Sequence, residues 1–293
     1  MATFKQPPKQ NPLAQFMRQP KIYLKLPSNG AFWENGSIKI PENGELPVFS
    51  MTAKDELMFK TPDALMNGQG VVEVIQSCIP AIKDAWACPN IDLDAILIAI
   101  RLATYGEELE ISYTVPNINE QEERVINLTT LLDNIYARTT WEEEVVINEN
   151  ITCYIRPLTY KHMTKTGLKT FETQKLMQAL SDDSISDEHK LEIFNKSFGT
   201  MTDITVELIA DSIYVIKTPE VTVEDPVFIK DFVKNADKDI FDKINARINE
   251  LKDKNGLQPL TVQSTPEQIE LGAPETYDVP IGFDNAAFFG NGS

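Results

Sequence analysis

From Asp92 the chain reads DLDAILIAIRLATYG, apolar on nearly every face and closed by Gly106. A helix without a polar side has to be enclosed by other elements, so this segment predicts a central core helix, capped by Asp92, with a domain built around it. Its apolar run is too short to span a bilayer and is interrupted by Asp94 and Arg101. With 293 residues, 42% of them hydrophobic, the chain has material for one large domain or two small ones.

The segments on either side follow from turn and cap signals. Residues 1–20 hold four prolines and few aliphatic side chains, which predicts a flexible arm. KIYLKL, IKI and LPVFSM, separated by Asn29-Gly30, Asn35-Gly36 and Asn43-Gly44, predict short strands and hairpins. Thr52 with Asp55 and Glu56 marks a helix start, and Thr61-Pro62 marks a second short helix ending at Asn67-Gly68. A third helix, from Val71 to Ile79, is stopped by Pro80, which completes a helical bundle over residues 52–106.

ELEISYTV and RVINL predict a hairpin over 107–128, and WEEEVVIN with ITCYIRPL predicts another about Glu149-Asn150. Beyond Tyr160 the pattern is helical. Leu191, Phe194, Phe198, Met201, Thr205 and Leu208, continued by Ile209, Ile213 and Ile216, predict one helix of about 30 residues with this stripe in the core. Ile240, Ile244, Ile248 and Leu251 predict another helix, after which the chain turns extended and Pro-rich.

The fold class expected is therefore α+β: N-terminal β-hairpins with a compact helical bundle, a small β unit and a C-terminal helical region. The expected divisions are an arm at 1–20, a first domain at 21–106, a β unit at 107–158, helices at 159–255 and a tail at 256–293 that docks on the β unit. In that tail the alternation of Val279, Ile281 and Phe283 predicts a strand added to the 107–128 hairpin.

Charge and chemistry narrow the function. A net charge of −17 argues against nucleic acid and anionic membranes as partners. The acidity is uneven. Lys5, Lys9 and Arg18 precede any acidic residue, while no Lys or Arg follows Lys254, so the two ends are oppositely charged and suited to complementary partners. Neither GxxxxGK[ST] nor GxGxxG is present, so no nucleotide or other small-molecule cofactor is expected. His162 and His189 lack any metal-ligand spacing, and the runs Glu142–Glu144 and Asp182-Asp183 lack the geometry of a calcium loop. Cys78, Cys88 and Cys153 form neither a CxxC nor an even framework, which suits free thiols in a reducing compartment. No catalytic residue, metal ligand or small-molecule substrate is expected, and residues 1–20 lack the apolar stretch of a signal peptide.

Residues 45–106 carry a resemblance. ELPVFSMTAKDELMFKTPDALMNGQGVVEVIQSCIPAIKDAW, followed by IDLDAILIAIRLATYG, is similar to the T4-type bacteriophage baseplate family, whose T4 member is a baseplate hub component or hub-assembly protein. LKLPSNG upstream and VPIGFDNAAFFG near the carboxyl end add to the likeness. The resemblance implies a protein made in the host cytoplasm that binds other baseplate and tail proteins and catalyses nothing. Phe283, Phe288 and Phe289 at one end, with Lys5, Lys9 and Arg18 at the other, are its candidate contact residues. Relatives would carry Cys-Pro-x-Cys, a zinc-ribbon knuckle, where this chain has Val115-Pro116-Asn117-Ile118, so a degenerate, zinc-ribbon-like unit held by packing is expected. The alternative is a soluble binding or regulatory protein unconnected with phages.

Overall fold

Asp92 explains why the first half of the chain folds as one body. In the computed structural model, which describes residues 13, 17–59, 67–178 and 186–281, its carboxylate is fully buried in the first turn of the apolar helix. It does not cap that helix, whose N-cap is Pro89. Its oxygens instead accept from the Ser28 amide at 2.8 Å, the Ser28 hydroxyl at 2.5 Å and the Trp33 indole N–H at 2.7 Å. A charge out of water needs such donors, and here they come from the turn that follows the first strand.

The N-terminal hairpin pairs β1 (Pro20–Lys25) with β2 (Glu45–Phe49). IKI forms no strand and contributes one bridge, Ile38 to Ile82. Helix α1 (Ala53–Phe59) starts in a reciprocal cap: Thr52 Oγ1 accepts from the Asp55 amide and Asp55 Oδ2 accepts from the Thr52 amide. The short helix expected at 61–68 lies outside the described residues, apart from the turn at Asn67-Gly68. Helix α2 (Gln69–Cys78) and the apolar helix α3 (Asn90–Tyr105) complete the bundle. Ile96, Ile98 and Ile100 are fully buried among Leu24, Leu46 and Ile75.

The hairpin of β3 (Glu108–Thr114) and β4 (Gln121–Asn127) leads into α4 (Leu128–Arg138), a helix that the expected β unit did not include. Its signal was local. Asn127 accepts from the Thr130 amide as N-cap, and Leu128 and Ile135 then enter the first core.

A second core forms under a four-stranded antiparallel sheet, ordered β5 (Glu144–Asn148), β6 (Ile151–Ile155), β7 (Ile213–Lys217) and β8 (Thr222–Val223). Helices α5 (Tyr160–Gln178) and α6 (Asp187–Ser212) leave β6 and return as β7. Here the single 30-residue helix is corrected: α6 stops at Ser212, and Ile213 and Ile216 lie in a strand opposite Ile155 and Cys153. The run Ile-Tyr-Val-Ile is β-branched and aromatic, and β6 offers it an unpaired edge. Helices α7 (Pro226–Asn235) and α8 (Lys238–Asn255) close this core with Ile229, Ile244 and Leu251. The expected stripe of α8 is present.

The chain after Gly256 forms β9 (Leu260–Gln263), a short helix α9 (Pro266–Glu270) and β10 (Thr276–Val279). β10 pairs with β9 and not with the 107–128 hairpin, which corrects the expected strand addition. The two hairpins meet through side chains. Val115 is fully buried against Val262, Ala273, Tyr277 and Val279, with Ile118 packed alongside. Apolar contacts thus occupy the knuckle where relatives were expected to hold a metal. Residues 107–158, read from the sequence as one unit, contribute to all three cores.

Candidate interaction surface

Among the described residues no three His, Cys, Asp or Glu side chains converge as a metal site would require, and no helix is long and apolar enough to cross a membrane. The thiols are all buried. Burial pushes Cys78 up to about 12 and Cys153 up to about 11, and lifts Cys88 well above its ordinary value. A buried, protonated thiol is a poor nucleophile. His162 Nδ1 lies 2.8 Å from Thr159 Oγ1, and its Nε2 lies 3.9 Å from Asp211. Burial holds its imidazole below the usual value despite Asp211. These are structural arrangements at the root of α5.

Of the six candidate contact residues, Lys5, Lys9, Phe283, Phe288 and Phe289 lie outside the described residues. Arg18 is described, and it faces inward. Its guanidinium donates to the Ser50 carbonyl at 2.5 Å, the Ser77 carbonyl at 2.6 Å and Ser77 Oγ at 2.9 Å. Asp55 Oδ2 lies 3.5 Å away, and the Phe49 ring centroid 5.7 Å away. Such a planar fork fits several acceptors at once. Arg18 therefore fastens the entry to β1 onto α1 and α2, and its donors are committed within the chain.

The surface that the sequence did not flag is on α6. Leu191, Phe194, Phe198 and Met201 were expected in the core, yet they are 61%, 46%, 66% and 44% exposed. Helix α6 turns a different face to the protein, with Ser197 and Ile204 buried, and it packs beside α5. The Phe194 and Phe198 rings stack on each other with centroids 6.4 Å apart. Contiguous exposed apolar side chains of this size mark contact surfaces more often than scattered ones do. The sequence held the signal in the neighbours of the stripe: Asn195, Gly199 and Thr202 flank it on the outer side, where a core helix would carry further apolar residues.

The chain is thus acidic, built on three packed cores, and offers an aromatic stripe to solvent. The profile of the T4 bacteriophage base plate protein family matches residues 19–255, and the chain belongs to that family. The match runs from β1 to the end of α8 and so takes in both large cores. No curated protein and no solved structure matches the chain significantly.

Proposed function

We propose that this protein is a component or chaperone-like assembly factor of the hub of a contractile-tail baseplate. It is made in the host cytoplasm and works by binding other baseplate and tail proteins, with no part for nucleic acid, membrane, cofactor or small-molecule substrate. Family membership supplies the baseplate setting. The observation that carries the role is the α6 stripe: an apolar face left in water has a cost, and a subunit that is to be buried in an assembly is where such a face is useful. The net charge of −17 keeps the free subunit soluble until then.

The test is a phage carrying an early stop codon in this gene. Tails from that phage should lack a hub, and the purified protein should restore hub formation in extracts. Complete, infectious tails without the protein would sink the proposal. Mass spectrometry of washed virions separates the two versions: a component stays in the particle and an assembly factor does not.

A further inference from the structure

Helices α5 and α6 lie antiparallel, and the Lys169 Nζ donates to Glu207 Oε2 across them at 2.7 Å. That bond fixes which flanks point the same way. Lys161, Lys165 and Lys169 share one flank of α5, and Lys196, Asp203 and Glu207 share one flank of α6 at helical spacing. The bond between Lys169 and Glu207 places both charged flanks on one broad side of the hairpin. The other side then carries Met163, Gly167, Phe171 and Gln174 from α5, and the Leu191–Met201 stripe with Thr205 from α6. From Leu191 to Leu208 the stripe positions carry no charge, while Asp187 continues the stripe by spacing at the tip of the hairpin. Lys175, whose ammonium sits 4.5 Å from the Phe171 ring centroid, and Lys190 border it at the tip of the hairpin.

We propose that this face binds a second copy of the chain, hairpin against hairpin, closing an antiparallel four-helix bundle with two-fold symmetry. The stripe supplies the geometry. Positions 191, 194, 198, 201, 205 and 208 alternate in steps of three and four, the spacing with which one helix packs along another like itself. Charge supplies the choice of partner. A chain of net charge −17 repels its own copies wherever acidic surface meets acidic surface, and the stripe positions from 191 to 208 carry no acidic residue. The stripe sets the direction: tip against base lays α6 along the partner's α6, so that the six stripe positions of the two copies meet. Helices of this length present a face of about 28 by 20 Å, or roughly 560 Å² per partner and about 1,100 Å² in all, just above the about 1,000 Å² that a specific contact needs; at its base Met163 also borders Asn90, Lys252 and Asn255 of the same chain. Gly167 lies on the same face, and among the described residues no atom outside its own helix backbone comes within 4 Å of where a Cβ would stand.

This inference rests on the same stripe as the proposed role, with a second copy as the partner that covers it; self-association is read on the purified chain alone, so its failure leaves the test on phage tails standing. Sedimentation velocity on the full chain from about 1 to 100 μM should show twice the monomer mass at the upper concentrations, consistent with a contact of this size. Phe198→Asp and Gly167→Arg both change residues on the open face, so each should melt no lower than the parent at concentrations where the parent is monomeric, while weakening association at least tenfold. A parent that stays monomeric across the range overturns the proposal, as do variants that dimerise like the parent. A monomeric parent that dimerises once residues 282–293 are removed also overturns it, because the face would then belong to the chain's own carboxyl end.

Discussion

The indole N–H of Trp33 donates to Asp92 Oδ2 at 2.7 Å, across 59 residues of sequence. With the two bonds from Ser28, it ties the Pro27–Gly30 turn to the start of α3. Replacing Asp92 by Ala leaves three donors without their acceptor, and each buried donor left unmade costs about 1–3 kcal/mol. Removing the buried charge returns part of that, so a net loss of about 2–3 kcal/mol is expected for Asp92→Ala, and less for Asp92→Asn, which keeps one oxygen. Urea titration of the three proteins measures it. An alanine variant as stable as the parent would show that the turn holds without the carboxylate.

Asp94, two residues along the same helix and so on its other side, should make stability depend on pH. Burial pushes its carboxyl up to about 6, against a partial offset from the Leu257 amide. A carboxyl whose folded value is raised penalises the folded state as it ionises, so its penalty appears as pH rises from about 4 through 6 and stays constant above. Asp94→Asn removes the penalty. The variant should be more stable than the parent by roughly 1–3 kcal/mol at pH 7.5, with the gain vanishing near pH 4. Glu207 works the other way: hydrogen bonds from Lys169 and Lys230 hold it down to about 2, so its contribution is present above the usual carboxylate range and lost only as the medium becomes strongly acidic. That pair is partly exposed and contributes under about 1 kcal/mol. Denaturant midpoints at the two pH values test Asp94, and an unchanged difference between them contradicts the assignment.

The Val115 knuckle should be held by packing alone. Val115→Ala removes two methyl groups from a fully buried site and should cost about 1.5–3 kcal/mol. Elemental analysis of the dialysed protein should find zinc well below one per chain, and a chelator should leave the melting temperature where it was. One zinc per chain surviving dialysis would overturn this account.

What the sequence revealed depended on whether a residue's role was local. The apolar α3, the Thr52–Asp55 cap and the α8 stripe are set by neighbours within a few residues, and they were legible; the Asn-Gly pairs do form turns, but they lie within the long connection between β1 and β2 and close no hairpins of their own. The β7 strand was not, because Ile213 and Ile216 continue the helical period of α6, and only the waiting edge of β6 makes them a strand. The exposed stripe was missed for a related reason. Periodicity identifies an apolar face without naming what covers it, and Leu191, Phe194, Phe198 and Met201 stay exposed while Ser197 and Ile204, on the neighbouring face of the helix, are buried. Arg18 looked like part of a free basic arm, since its partners Ser50, Asp55 and Ser77 are distant in sequence.

The β9–β10 hairpin should be a protected part of the isolated protein. Tyr277 is paired with Val262 and Val279 with Leu260, and both side chains face Val115 across the hairpin contact. Tyr277 also lies against Tyr113, with ring centroids 6.2 Å apart. Burying a large apolar side chain stabilises by roughly 1.5–3 kcal/mol, so Val262, Tyr277 and Val279 together can outweigh the ordering cost of two four-residue strands joined by a capped helix. Hydrogen exchange on the purified chain should therefore be slow at residues 276–279 without any partner present. Removing residues 276–293 should strip Val115 and Tyr113 of their cover and speed exchange at the β3–β4 tip, while α3 keeps its protection because the first core is built without this hairpin. Exchange at 276–279 as fast as in an unfolded peptide would mean that the hairpin is not docked in the free protein.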